Sequence, residues 1–478
     1  MTLLADPPTS APVAHPRPVP AAFRPQGRAR VPGWWRDAIG VATWTSMLVV
    51  VALWVAGGGV QAMTGWAPGV TSVGRLTGLV SADLLLVQVL LLARIPVVER
   101  VYGQDELVAR HRLVGFWSFW LMVAHVVAVS IGYAASAGLN PFVQFWALVV
   151  DYPGMLLGLA GTLLLVLVVA TSIRRARRTL RYESWHLLHL YAYLGVGLAL
   201  PHQLWTGQEF LTNPVATVYW WTLWAAAAGS ILIWRVALPL YRSLTHDLRV
   251  EKVVRETPDI VSVTMRGRGL DRLDPVAGQF FNWRFLTGPG WMRAHPYSIS
   301  AAPDGLSLRV TVKDLGDGSH ALAAVKPGTR VWFEGPYGRL HTGVRTRRKV
   351  VLMASGIGIS PMRALLEALP QEPGDVTLIY RARRETDLAL KAEIESLAAK
   401  SGARVFYVLG RRIPGRDTWL PKTAAGLSDA QALHQLVPDI AQADVYLCGA
   451  AAWMDAATAA AIGCGVPADH IHTERFSW

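Results

Sequence analysis

Trp185-His186-Leu187-Leu188-His189-Leu190-Tyr191-Ala192-Tyr193-Leu194-Gly195-Val196-Gly197-Leu198-Ala199-Leu200-Pro201-His202-Gln203-Leu204 is the stretch on which the fold turns. It is long and apolar enough to cross hydrocarbon, which takes roughly 20 helical residues. It nevertheless carries His186, His189 and His202, and ionisable groups at membrane depth are costly enough to mark a functional site. Working outward, five further apolar runs share its character: Ala38–Gly57, Val73–Ala93, Arg112–Ala134, Tyr152–Ile173 and Pro214–Ala237. The third of these is bracketed by two more histidines, His111 and His125.

Composition supports a membrane domain, because a chain of 478 residues with 52% hydrophobic and 17% charged residues is too apolar for an ordinary soluble protein. The runs occupy residues 38–237, whereas residues 244–478 have the pattern of a soluble globular region. The net charge of +13 resides largely in arginines beside apolar segments, not in a basic domain with interleaved aromatics, which argues against nucleic acid as a partner. Arg24, Arg28, Arg30 and Arg36 precede the first run, Arg94, Arg100 and Arg110 follow the second, and Arg174, Arg175, Arg177, Arg178 and Arg181 follow the fourth. Arg235, Arg242 and Arg249 follow the sixth. The alternate connections at residues 60–72, 135–151 and 203–213 contain no Lys or Arg, so the positive-inside rule puts both termini in the cytoplasm of a multi-pass cell-membrane protein. Cys448 and Cys464 are the only cysteines, too few for a disulfide framework or thiolate cluster. Residues 1–36, rich in proline, read as a disordered cytosolic tail without the form of a cleavable signal peptide.

At about 1.5 Å and about 100° per residue, His125 lies about 21 Å along a helix from His111 and about 40° from its face. One helix therefore presents two stacked ligands. Pairing His111 with His189 and His125 with His202 would hold two haem irons by two imidazoles each, across the bilayer. The step from His189 to His202 leaves an ideal helix about 140° off a common face; Pro201, which removes an amide donor, supplies a cause for a kink or unwinding. His186 is either a propionate contact or a substitute for His189, and His189 is the expected ligand. Asp83 and Gln88 are read as interhelical hydrogen-bonding groups, with proton assistance as the alternative.

In the soluble half, Ile260–Met265, Leu306–Val312 and Arg330–Glu334 read as strands of a small antiparallel barrel. Val350–Ala354, Val376–Tyr380, Arg404–Leu409 and Asp444–Cys448 read as strands of an α/β parallel sheet, with a helix at Met362–Leu369. Gly356-Ile357-Gly358-Ile359-Ser360-Pro361 is a glycine-rich turn between strand and helix, where backbone amides approach a dinucleotide's phosphates. Cys448-Gly449 ends a later strand, at the end of such a sheet that would hold a nicotinamide. His295-Pro296-Tyr297-Ser298 suits a flavin dinucleotide, the tyrosine lying on the isoalloxazine face and Ser298 bonding its edge. Gly316-Asp317-Gly318-Ser319 suits its pyrophosphate.

In this order the features resemble the NADPH oxidase and ferric reductase superfamily, particularly its bacterial members, over Ala38–Trp478. The resemblance implies a six-helix transmembrane haem bundle (residues 37–240), an FAD-binding β-barrel (241–343) and an NAD(P)-binding α/β domain (344–478). It matches the two-histidine pattern with His111, His125, His189 and His202, the flavin motif with His295–Ser298, the flavin phosphate turn with Gly316–Ser319 and the nucleotide motif with Gly356–Pro361. Soluble members of the ferredoxin-NADP reductase fold carry arginine where His295 stands, so either Arg293 takes over the phosphate contact or the histidine suffices. The family often ends on an aromatic that covers the flavin; Phe476 and Trp478 are the candidates, and Trp478 is the expected one.

The activity implied is that of an NAD(P)H oxidase or ferric-chelate reductase-like flavocytochrome b, using NADPH or NADH, FAD and two b-type haems. Tyr297, Ser298, Cys448 and Trp478 border the hydride transfer. The partners are membrane lipid and a small-molecule acceptor on the far side, O2 giving superoxide or a ferric chelate. Arg381, with Arg383 and Arg384, is placed to meet a 2′-phosphate. Rival readings are a membrane-anchored flavin or ferredoxin reductase without haem, and a transporter with a redox sensor, for which no repeat is visible.

Overall fold

The computed structural model describes residues 32–173, 182–207, 213–287 and 293–475. Phe476 and Trp478, the arginines at 174–181 and the proline-rich tail lie outside the described residues. The chain divides into two compact units that meet in sequence between Ala237 and Leu238.

The first unit is helical. Its helices are α1 (Trp34–Ala56), α2 (Trp66–Leu92), α3 (Pro96–Ala137), α4 (Pro141–Asp151), α5 (Met155–Ser172), α6 (Tyr182–Thr206) and α7 (Pro214–Ser230), the last continuing as a π-helical stretch, Ile231–Ala237. Prolines open α3, α4 and α7, where a preset φ helps and no donor is lost. Asn140 and Asn213 accept first-turn amides at the starts of α4 and α7.

Among the described residues, five helices are long and apolar enough to cross a membrane by length and composition. The 25-residue α6 has the length but falls outside that group, its three histidines being set in the apolar run. Trp44, Leu48, Phe116, Trp117 and Leu163 are exposed, the surface expected where the solvent is lipid.

α3 begins well before the expected Arg112. It bends at Gly103, whose φ is 72°. Arg94, itself in the left-handed region with φ 65°, donates to Glu99 at 2.9 Å and also to Gln104, spanning that bend. Asp83 ties three helices, accepting from Ser46 of α1 at 2.6 Å and Tyr219 of α7 at 2.7 Å, the interhelical role expected of it. The main helix pairings are α2 along α3 and α5 along α6.

The second unit starts with α8 (Leu238–His246) and contains two antiparallel three-stranded sheets. Their orders are β1-β2-β5 and β4-β3-β6, formed by β1 (Arg249–Thr257), β2 (Ile260–Arg266), β3 (Phe280–Phe285), β4 (His295–Ser298), β5 (Ser307–Lys313) and β6 (Val331–Tyr337). Isolated bridges, Ile299 to Val310 and Arg249 to Arg330, join them around a core that includes Phe281, Trp283 and Phe333.

A five-stranded parallel sheet follows, in the order β11-β10-β7-β8-β9. Its strands are β7 (Lys349–Ser355), β8 (Val376–Ala382), β9 (Arg404–Leu409), β10 (Ala443–Cys448) and β11 (Ile471–Glu474), with helices α9 (Ile359–Ala368), α10 (Lys391–Ser401), α11 (Asp429–Leu436) and α12 (Ala451–Gly463). Four of these strands are the expected ones; β11, only four residues long, has no periodicity to betray it. α9 starts at Ile359, earlier than expected, so Ser360 and Pro361 belong to the helix.

Candidate functional site

The membrane unit brings the expected histidines together in pairs. His111 on α3 and His189 on α6 have ring centres 5.9 Å apart at an interplanar angle of 63°. His125 and His202 lie within electrostatic reach of each other. α6 is not unwound at Pro201 but carries it inside the helix and runs on to Thr206. His186 is exposed, whereas His189 is half-buried beside His111.

Two of the four imidazoles have a hydrogen-bonding group at Nδ1. His125 Nδ1 donates to the Gly74 carbonyl at 2.8 Å, and His189 Nδ1 meets Ser172 Oγ at 3.3 Å, which also receives Trp185 Nε1 at 3.3 Å. The Nδ1 atoms of His111 and His202 are buried without a well-formed hydrogen bond, facing the backbone at Gln88 and Ala199. Close-packed glycines complete the seats. A Cβ on Gly78 would lie 2.5 Å from His125 Nδ1, and one on Gly158 would lie 3.2 Å from His202 Nδ1.

In the second unit, the flavin motif and phosphate turn meet. The rings of His295 and Tyr297 are parallel within 8° at 5.9 Å, and a Cβ on Gly318 would come 2.3 Å from His295 Cε1. Ser298 Oγ is buried without a partner. Burial raises the Tyr297 phenol's pKa, keeping it neutral. Ser319 is committed to its own loop: its Oγ accepts from the amides of Leu315 at 2.8 Å and Gly316 at 3.0 Å. The amides that open the helical turn Asp317–His320 have no intrahelical acceptor.

The nucleotide motif lies at the switch point of the parallel sheet, between β7 and β10, where such sheets bind ligands. Gly356 has φ 55°, and a Cβ on Gly358 would meet the Cys448 carbonyl at 2.0 Å. Gly449 packs on Ser355, a Cβ falling 2.8 Å from Ser355 Cβ. Burial, reinforced by Glu474, pushes the Cys448 thiol up to about 12; it is a neutral group at the strand end, not a nucleophile.

Two of the expected site residues have side chains engaged within the protein. Ser360 Oγ donates to the Thr311 carbonyl at 2.9 Å, holding α9 to β5. Arg381 is buried, with its guanidinium on the carbonyls of Ala382, Val408 and Gly410. Burial followed by the nearby Arg412 lowers its pKa to about 10. Arg381 braces β8 against the loop after β9, leaving Arg383, which is exposed, and Arg384, paired with Asp387 at 3.0 Å.

Residues 77–200 match the ferric reductase like transmembrane component, and residues 352–459 match the oxidoreductase NAD-binding domain. The ferredoxin reductase component of 3-ketosteroid-9-alpha-monooxygenase from Mycolicibacterium smegmatis is 33% identical over 48% of this chain and 65% of its own length. Ferredoxin–NADP reductase B from Sorangium cellulosum is 30% identical over 42% of this chain and 84% of its own length. A flavohemoprotein from Xylella fastidiosa is 31% identical over 42% of this chain and 50% of its own length.

The chain is a ferric reductase/NADPH oxidase-like fusion with a ferredoxin–NADP reductase-type module. In this fusion a ferric reductase-like membrane unit precedes a ferredoxin–NADP reductase-type module. The chain spans slightly less than two thirds of the length of the ferredoxin reductase component.

The fusion's own residues fit the expected cofactors. The unpartnered Ser298 hydroxyl fits a flavin edge, and the Gly356–Gly358 turn at the sheet switch point fits a nucleotide. In the membrane unit, two imidazole nitrogens bound to one iron at about 2 Å each put ring centres about 6 Å apart, close to the spacing of His111 and His189. Among the described residues no group of three or more His, Cys, Asp or Glu comes together to hold a bare metal ion. Ser172, Gly74, Gly78 and Gly158 escaped the sequence reading. Gly74 with Gly78, and Gly154 with Gly158, are small residues four apart, a spacing that marks close helix contact in membranes.

Proposed function

We propose that this chain is a transmembrane flavocytochrome b that moves electrons from cytosolic NAD(P)H to an acceptor on the far side of a six-helix bundle, with both termini cytoplasmic. His111 and His189 hold one b-type haem, and His125 and His202 hold a second. The observation that carries this reading is the 5.9 Å spacing of the His111 and His189 rings. It is supported by the acceptors at Gly74 and Ser172, which leave the other ring nitrogens of His125 and His189 for a metal.

When bound, FAD takes a two-electron hydride and releases electrons singly, and a haem carries one at a time. Ser298 offers its hydroxyl to the flavin edge, the Gly316–Ser319 amides its pyrophosphate, and Gly356–Gly358 the nucleotide phosphates. The neutral Cys448 borders the nicotinamide without introducing a charge. Arg383, which is exposed, is placed to meet a 2′-phosphate. Two imidazoles on each iron would leave no open position, so such a haem would supply electrons to an acceptor without binding it. O2 is preferred to a ferric chelate because the outer connections are short and contain no Lys or Arg.

Anaerobic NADPH added to the detergent-purified protein, with haem and FAD quantified per chain, tests this reading. The expected result is a spectrum of two low-spin b-type haems that NADPH reduces. Flavin without haem would overturn the electron wire and favour a membrane-anchored reductase serving a soluble partner.

A further inference from the structure

The seam between the flavin-binding sheets and the parallel sheet, inside the second unit, is held by a charged clasp that the cofactor motifs do not contain. On the flavin side, Arg309 of β5 donates to both oxygens of Glu393 on α10, at 2.8 and 2.9 Å. The same guanidinium grips Ser300, two residues beyond the flavin motif, through its hydroxyl at 3.1 Å and its carbonyl at 2.9 Å. On the nucleotide side, Arg363 of α9 brings Nε to 2.8 Å from Glu393. That contact is a close charge pair without a well-directed hydrogen bond, since the nitrogen has no bonding partner in good geometry. Arg363 also pairs with Glu367, which accepts the Ala302 amide at 2.6 Å. Ser360, in the first turn of α9, adds its bond to Thr311 of β5.

This differs from an ordinary surface ion pair. The arginine side chains are only 15% and 9% exposed, and the Arg309 pair is bidentate, the geometry that gives both strength and direction. Glu393 touches a cation from each side of the seam. Removing its charge leaves two guanidinium groups facing each other in a half-buried place, where an unpaired charge is strongly unfavourable. The seam then has a reason to open. Hydride transfer is steep in distance: reacting atoms must approach to about 3–3.5 Å, and a misplacement of about 1 Å costs about a hundredfold in rate.

We propose that Glu393 is a positioning residue for hydride transfer, setting the separation at which the nucleotide motif of α9 and Cys448 meets the flavin motif of β4. It touches neither cofactor motif and acts through Arg309 and Arg363. The test is anaerobic stopped-flow reduction of the flavin by NADPH in the full-length, FAD-loaded protein, comparing wild type with Glu393→Gln and Glu393→Asp. In Glu393→Gln the limiting rate of flavin reduction falls about tenfold or more, with the nucleotide dissociation constant changed less than about twofold. The long-wavelength charge-transfer absorbance of the nicotinamide–flavin pair falls with it, and Glu393→Asp, which keeps the charge, recovers most of the rate. An unchanged limiting rate and absorbance in Glu393→Gln would overturn the proposal, as would a loss that merely tracks FAD content. Should Glu393→Gln fail to fold, Arg309→Lys, which keeps the charge but not the bidentate grip, is held to the same two readouts. Because flavin reduction is read before any electron leaves the second unit, the result is independent of whether the membrane histidines hold haem.

Discussion

His125 and His202, the two outer histidines, sit in contrasting helix pairs. His125 on α3 is gripped by its neighbour α2: the Gly74 carbonyl takes its Nδ1 proton at 2.8 Å, and Gly78 lies so close that a Cβ would stand 2.5 Å from the ring. His202 on α6 has Gly158 of α5 beside it at a looser 3.2 Å, and its Nδ1 has no well-formed hydrogen bond. It faces the backbone of its own helix, one residue past Pro201. The His125 ring is therefore gripped by another helix through both a hydrogen bond and a close glycine, whereas Gly154, at the start of α5, presses on the backbone of His202, a Cβ there falling 2.8 Å from its nitrogen, and the ring keeps the looser contact with Gly158. A change at Gly78 meets the first ring directly, and one at Gly158 meets the second with more room.

The largest effect belongs to the ligands themselves. His125→Ala and His202→Ala should each take haem from about two to about one per chain, as measured by pyridine haemochrome; retention of both haems in either variant would break the pairing. Next come the seats. Gly78→Ala forces a methyl into the imidazole and should cost about 1–3 kcal/mol of overpacking along with outer haem occupancy. Gly158→Ala, where the ring needs to give only slightly, should keep both haems and cost less than about 1 kcal/mol. Thermal unfolding with haem quantification distinguishes the two seats, and equal responses would erase the contrast drawn above.

A smaller change is expected at the inner pair. Ser172→Ala removes the hydroxyl that meets both His189 Nδ1 and Trp185 Nε1. Both haems should stay low-spin, while haem transfer to an apomyoglobin scavenger becomes about tenfold easier at one site. Unchanged transfer kinetics would show that the Ser172 hydroxyl does not orient His189.

The smallest effect concerns the tight contact in the soluble unit, where Gly358 packs on the carbonyl of Cys448 instead of on an imidazole. Burial holds the folded thiol up at about 12, against about 8.5 in an unfolded chain. Because the unfolded state then loses its proton first, this contribution to stability is fully present below pH about 8.5 and is lost as pH rises from there towards 12. Cys448→Ala should remove that part of the alkaline slope in unfolding titrations while leaving the neutral-pH slope as it was.

The membrane helices and the parallel strands could be read from the chain because each depends on residues near one another in sequence. The apolar runs of α1, α2 and α5, and the β8 run Val376-Thr377-Leu378-Ile379-Tyr380, report burial through local composition alone. The glycine turns at Gly316–Ser319 and Gly356–Gly358 were legible for the same reason. The bonds of Arg381, near the end of β8, were not legible, because an arginine there looks the same in sequence whether it faces solvent or bends back onto carbonyls. Ser319 and Ser360 have hydroxyls of the right kind in the right motifs, but local geometry spends one on its own loop and packing spends the other on Thr311.

The amino-acid sequence by itself determined that this chain has a membrane half with two histidine-bearing helices and a soluble half with flavin and nucleotide turns in a fixed order. It did so because hydrophobic periodicity, turn chemistry and charge bias are local. Only the tertiary structure decided which side chains those motifs leave free and which groups hold the histidines in place. The Gly74 carbonyl and His125 are 51 residues apart, and Arg309 and Glu393 are 84 apart. Contacts at such separations exist only once helices and sheets have packed, since it is packing that selects among the many pairings local sequence permits.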